Sequence, residues 1–228
     1  MVVSNRKKKK KPKRKKLPID KKLATVSSIL VGLGTIGFPL LNYCVQSRID
    51  EFKISKSDYL EKQMMSFDFI NKSNYNIKDS YILDDHYHII KLLDSKNKFL
   101  LDSIEYKEIQ VLGNASHNAL NSAISSEQVD GKDADLLSRK IYSLTDSFKS
   151  EKELLKKKLI KEKLSDIYFD YNKKGASGTI DIQKNIDKID KNISKYKKIK
   201  NGLWPFFLVC QSFGLLLGIW SNLYKRGD

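Results

Sequence analysis

Hydrophobic positions along this chain follow two patterns. Two uncharged apolar runs, residues 23–45 (LATVSSILVGLGTIGFPLLNYCV) and 203–224 (LWPFFLVCQSFGLLLGIWSNLY), bracket a long stretch where apolar residues recur every three or four positions. At 1.5 Å per residue, a helix over 23–45 covers roughly 34 Å, enough for a hydrocarbon core of about 30 Å. Both runs therefore predict transmembrane helices. Tyr43 stands near one end of the first, and Trp204 and Trp220/Tyr224 stand near the two ends of the second. These are positions that amphipathic rings take at a membrane interface. A cleaved signal peptide fits the first run poorly, because the apolar stretch is too long and no A-x-A site follows.

Between the runs the periodicity is helical. Ile182, Ile186, Ile189, Ile193 and Tyr196 are spaced 4, 3, 4 and 3, and the series continues to Ile199 and Leu203. Such a stripe forms the packed seam of a coiled coil or bundle. It predicts one continuous helix over 180–224, bent at most near Pro205. Leu137, Ile141, Leu144 and Phe148, then Ile160, Leu164, Ile167 and Tyr171, repeat the spacing. They predict a helix over 133–171, with Asp133 or Asp135 as its N-cap. Earlier helices are expected at 47–70, 80–94 and 97–125. No proline occurs between Pro39 and Pro205, so breaks must come from polar clusters: 71–80, 94–97, 125–135 and 172–179. No stretch alternates at the strand period.

The expected fold class is an all-α membrane protein, with two transmembrane helices flanking a long-helix bundle or coiled-coil domain. The parts are a basic tail (1–22), a first span (23–45), a helical domain (46–202), a second span (203–224) and a short end (225–228).

Charge adds orientation. The net charge is +16, but residues 1–22 hold twelve Lys/Arg and one acid, so most of the excess sits in the tail and the body is nearly balanced. Lys7, Lys8, Lys9, Lys10, Lys11, Lys13, Arg14, Lys15 and Lys16 are expected to meet anionic lipid headgroups. The tail lacks the interleaved aromatics that stack on bases, so nucleic-acid binding is not expected. The basic flank of the first span places the N-terminus in the cytoplasm. The second span disagrees when taken alone, since seven lysines between Lys184 and Lys200 precede it and only Lys225 and Arg226 follow. The first span carries the larger bias and long loops translocate largely regardless of charge. The expectation is therefore a two-pass integral protein of a bacterial cell membrane, both termini cytoplasmic and the helical domain outside.

Candidate chemistry is sparse. Cys44 and Cys210 both lie in the apolar runs, which leaves no disulfide framework for the central region. The histidines are His86, His88 and His117. On a helix His86 and His88 diverge while Asp84 and His88 share a face, so no metal site is expected. GLGTIG at 32–37 fits the dinucleotide pattern superficially, but it lies within an apolar run with no preceding strand. Small residues spaced four apart offer a better reading: Ala24, Ser28 and Gly32 in the first run, and Cys210, Gly214 and Gly218 in the second. Such stripes let helix backbones approach closely in lipid, within one chain or between copies. Sequons occur at Asn71, Asn114 and Asn192. No nucleophile–base set and no phosphate loop is present, so neither a cofactor, a small-molecule ligand nor an enzymatic activity is expected.

The plan of span, helical domain, span is similar to sensory receptor ectodomains, as an architectural analogy. Four residues follow the second span, which leaves no room there for an output module. The functional expectation is a scaffold or interaction protein acting through its helical domain and self-associating spans, as a homo-oligomer or with another membrane protein. Two alternatives are a membrane-perturbing effector of toxin-like or phage-defence-like type, and a ligand-sensing domain that signals through a partner. The apolar runs hold few polar residues beyond Asn42, Gln211 and Asn222, which disfavours a water-lined pore.

Overall fold

The computed structural model describes residues 19–226, without the side chains of Asp20 and 224–226. Nearly all of these residues are helical and no strand occurs among them. The elements are α1 (Ile19–Gly32), a π-helical turn (Leu33–Gly37), α2 (Phe38–Leu93), α3 (Lys98–Ser125), α4 (Gly131–Ser150) and α5 (Leu154–Arg226). Two helical stretches, one beginning at Lys21 and one ending at Leu223, are long and apolar enough to cross a membrane.

The chain divides into two compact units, Met1–Asp50 with Ser194–Asp228, and Glu51–Ile193. Helices α2 and α5 contribute residues to both.

Several helix boundaries differ from the sequence reading, each for a local reason. The predicted break at 71–80 is helical, because Ser73 and Ser80 are small enough to be buried in the bundle rather than solvated in a loop. The predicted break at 172–179 is helical as well. Gly175 and Gly178 serve close packing there, since an added Cβ would meet Ser122 and Ser126. The single helix expected over 133–171 is two. It stops at Ser150, and the Glu151 carboxylate accepts hydrogen bonds from the backbone N–H groups of Lys152 and Glu153 at 2.9 Å each. Those bonds satisfy donors that a new helix N-terminus would otherwise leave bare. The N-cap of α4 is Asp130, accepting from Lys132 N at 2.6 Å, and neither Asp133 nor Asp135. Pro205 sits inside α5 without ending it.

In the unit Glu51–Ile193, α3 lies at the centre of the core. Ile109, Leu112, Ala115, Ala119 and Leu120 join Ile141 and Phe148 of α4, Ile160, Leu164 and Ile167 of α5, and Ile77 of α2 in one apolar cluster. Leu137, Leu144 and Tyr171 pack against it. The stripe Ile182, Ile186, Ile189 and Ile193 is buried in turn. It is flanked by a Gln63–Gln183 hydrogen bond of 2.9 Å and a Lys56–Asp190 ion pair of 2.7 Å.

The turn from α3 to α4 carries a left-handed residue. Glu127 has φ 61°, its N–H donates to Ile124 C=O at 2.9 Å, and Gln128 N–H donates to Ala123 C=O at 2.8 Å. This crossed pair of bonds ends a helix on a residue with positive φ, usually glycine. Here a glutamate fills the position and pairs with Lys62.

Candidate functional site

Two features of the structure bear on function: the packing and outer surface of the apolar segments, and the polar interior of the bundle.

In the first, α1 and the C-terminal part of α5 meet along a seam of small residues. Ser27 Oγ donates to Gly214 C=O at 2.6 Å. A Cβ on Gly214 would lie 2.8 Å from Val31 N, and one on Gly218 would lie 2.8 Å from Ser27 Oγ. A Cβ on Gly34 would stand 2.6 Å from Gln211 Cβ and 3.1 Å from Phe207 O, and one on Gly37 would touch the Phe207 ring at 3.0 Å. Cys210 is buried in the same unit. Backbones this close are the geometry that small residues permit.

The structure thus brings Cys210, Gly214 and Gly218 to the seam but leaves the first-run stripe outside it. Ala24 and Ser28 are exposed, and a Cβ on Gly32 would have nothing within 4 Å. The residues that meet Gly214 and Gly218 are Ser27 and Val31. In a regular helix eighteen residues make five turns, so Ser27 lies on the face of buried Val45 and Gly34 within about 20° of it, while Ser28 lies about 100° away. A π-helical turn at Leu33–Gly37 lies between Ser27 and Val45, and its wider winding accommodates one extra residue. Pro39 supplies a reason for the turn. It has no N–H to donate to Thr35 C=O, and its ring crowds that carbonyl.

The remaining surface of these segments is apolar and open. In the two membrane-length windows only 11% of residues are buried, and Ile29, Ile36, Leu40, Phe213, Leu216, Ile219 and Trp220 are exposed. An apolar furrow of about 370 Å³ runs along the outer side of α5 beside Phe213, Leu216 and Trp220. The exposed hydroxyls turn back on their own helix: Thr25, Ser28 and Thr35 donate to Lys21, Ala24 and Val31 C=O at 2.8, 3.0 and 2.8 Å. Serine and threonine in a helix have a carbonyl one turn back within reach as a partner. Asn42 Oδ1 is buried with no hydrogen-bond partner among the described residues.

The second feature is the interior of the bundle. Over several turns it is lined by hydroxyls. Ser66 Oγ shares 2.9 Å hydrogen bonds with Ser122 Oγ and Thr179 Oγ1, Ser73 Oγ donates to Ala115 C=O at 2.6 Å, and Ser116 Oγ donates to Leu164 C=O at 2.7 Å. Each hydroxyl is satisfied, so burial exacts no penalty for an unmade bond.

Toward the end where α3 begins, charge replaces hydroxyl. Glu105 and Glu108 are buried, and receive Lys157 Nζ at 2.7 Å and Lys161 Nζ at 2.6 Å. Lys161 also lies 3.7 Å from Asp84, and Lys157 stands over the Phe148 ring at 5.0 Å. Desolvation raises the Glu108 carboxyl above the ordinary glutamate value, and its Lys161 bond offsets only part of the rise. His117, in a groove of about 290 Å³ between α3 and α4, is lowered by burial. His86 is exposed, while His88 lies 3.6 Å from Asp84, one turn away. Among the described residues no group of three or more His, Cys, Asp or Glu could hold a metal ion.

The sequence reading missed Ser27 and Gly34, although both share the helical face of Val45. It also missed Glu105 and Glu108, whose signal was present: acids three apart on one helix face bases four apart on another, Lys157 and Lys161. Lys7 to Lys16, expected at lipid headgroups, lie outside the described residues. Comparisons with protein families, curated proteins and solved structures give no match to this chain.

Proposed function

We propose that the chain is a two-pass integral membrane protein that works by protein–protein contact. Residues 51–193 would act as a helical scaffold or tether, and the two spans would pair with each other or with further copies. The observation that carries this reading is the exposure of the apolar segments, whose large side chains point outward while their small ones meet. A core helix of a soluble domain would bury those side chains, because each is worth about 1.5–3 kcal/mol when removed from water. The polar interior of the bundle supports a structural role for that unit. Its ionised groups are paired with one another and line no enclosed reaction chamber.

In this reading the basic tail meets anionic headgroups, both termini are cytoplasmic and residues 46–202 face outward. The test is fractionation with alkaline carbonate, then crosslinking in native membranes with identification of what is joined. Retention in the membrane with a discrete crosslinked partner or oligomer supports the reading, and release by carbonate refutes it. Dye leakage from liposomes carrying the chain would favour the membrane-perturbing alternative instead. Protection of residues 46–202 from protease added outside would overturn the orientation.

A further inference from the structure

The end of the bundle where α2 gives way to α3 and α4 to α5 carries apolar side chains that nothing in the unit covers. Leu92, Leu93, Phe99, Leu154 and Leu155 are 87, 81, 87, 73 and 81% exposed. They belong to two turns far apart in sequence. A cleft of about 830 Å³ lined by Phe99, Tyr106, Phe148 and Lys152 places those turns side by side. Besides Lys157, which Glu105 holds inward, residues 91–102 and 149–158 hold seven lysines against four acids. A helix end could satisfy its capping needs with polar residues alone, as Asn97 and Glu151 do here. Five large apolar side chains beside those caps have no role in them.

We propose that this end of the bundle is a docking surface for an anionic lipid bilayer. The leucines and Phe99 would enter the interfacial region while the surrounding lysines meet the headgroups, a division of labour common to peripheral membrane contacts. Charge distinguishes this occupant from the nearest competitor. A second copy meeting tip to tip would set one lysine-rich rim against another, whereas an anionic leaflet complements it. This surface shares no residue with the two apolar segments or with residues 1–22, and the inference does not depend on which side of the membrane the bundle occupies.

The test uses the full chain in neutral phosphatidylcholine nanodiscs. An environment-sensitive fluorophore is attached at Phe99→Cys in a Cys44→Ser, Cys210→Ser background. Vesicles of phosphatidylcholine, alone or mixed with phosphatidylserine, are then added. The expected result is a blue shift and nanodisc capture with the anionic vesicles only. Capture should be at least about tenfold weaker for Leu92→Asp/Leu155→Asp with the tail intact, given the transfer energy of two buried leucines. Both leucines are exposed, so an unchanged thermal melt is expected to show that the variant folds. Aqueous emission throughout would overturn the proposal. So would an equal response to neutral vesicles, undiminished capture of the variant (which would assign binding to the tail), or a blue shift that grows with protein concentration in the absence of vesicles.

Discussion

Gly175 of α5 and Ser122 of α3 approach so closely that a Cβ built on the glycine would lie 2.2 Å from the serine Oγ and 2.9 Å from its Cβ. Without a side chain at Gly175, the Ser122 hydroxyl has room to bond Ser66 at 2.9 Å. Two effects compete in Gly175→Ala. Alanine favours the helix by about 1 kcal/mol, but overpacking costs about 1–3 kcal/mol. Ser122 Cβ at 2.9 Å and Ala123 N at 3.3 Å would stay in place if the serine hydroxyl rotated away, so a rotamer change at Ser122 does not relieve the crowding. Overpacking should win, lowering stability by about 1–2 kcal/mol in thermal unfolding of the purified chain followed by circular dichroism. Adding Ser122→Gly should restore part of the loss, and strict additivity of the two changes would refute the contact.

Glu108 predicts a pH dependence. Its carboxyl is raised in the folded state by burial. A raised acid favours the folded protein below its unfolded value near 4.5, and that contribution is lost as pH rises through the folded value. Glu108→Gln should therefore change the slope of stability against pH just above 4.5, with the wild type gaining on the variant as the solution is acidified. Denaturant titrations of both proteins across that range, compared at each pH, measure the difference. Parallel curves would show that Glu108 does not titrate differently on folding.

Glu127 should be improvable. A non-glycine residue in the left-handed region costs about 1–2 kcal/mol, while its exposed pairing with Lys62 returns about 0–1 kcal/mol. Glu127→Gly is expected to raise the melting temperature modestly despite losing an ion pair. A clear fall would mean that the Lys62 contact outweighs the backbone conformation.

The seam between α1 and α5 makes a prediction that separates two glycines of one apolar pair of segments. Gly214→Val would drive a branched side chain into the Val31 backbone and should cost about 1–3 kcal/mol of stability in detergent. Gly32→Val meets nothing within 4 Å and should melt close to wild type. Equal effects would contradict the phase of α1.

What could be read from sequence follows from how strongly each signal is periodic. The isoleucine stripe from Ile182 to Ile193 and the paired stripes around Ile141 and Leu164 are long and regular; Ile141, Phe148, Ile160, Leu164 and Ile167 are buried, and Leu137, Leu144 and Tyr171 are half-buried against them. The turns at 94–97 and after Ser125 were legible from their polar clusters. Ser66, Ser73 and Ser80 were not read, although they stand seven apart, because serine in a sequence suggests a loop and only a close neighbour turns it into core. The same ambiguity made 71–80 and 172–179 read as breaks. The fold there is decided by tertiary packing, which overrides weak local preference. Glu105 and Lys157 are far apart in sequence, so only the parallel packing of α3 beside α5 makes them partners.

The wide turn at Leu33–Gly37 absorbs one residue more than a regular helix would hold. Deleting that residue would shorten the apolar segment by only about 1.5 Å and leave a regular helix, with Ser27 still facing Gly214. Inserting a residue beside the turn would alter length and hydropathy just as little, yet turn the helix before it by about 100° and carry Ser28 to the place of Ser27. Length and composition are indifferent to both changes, while the glycines across from α1 tolerate only the first.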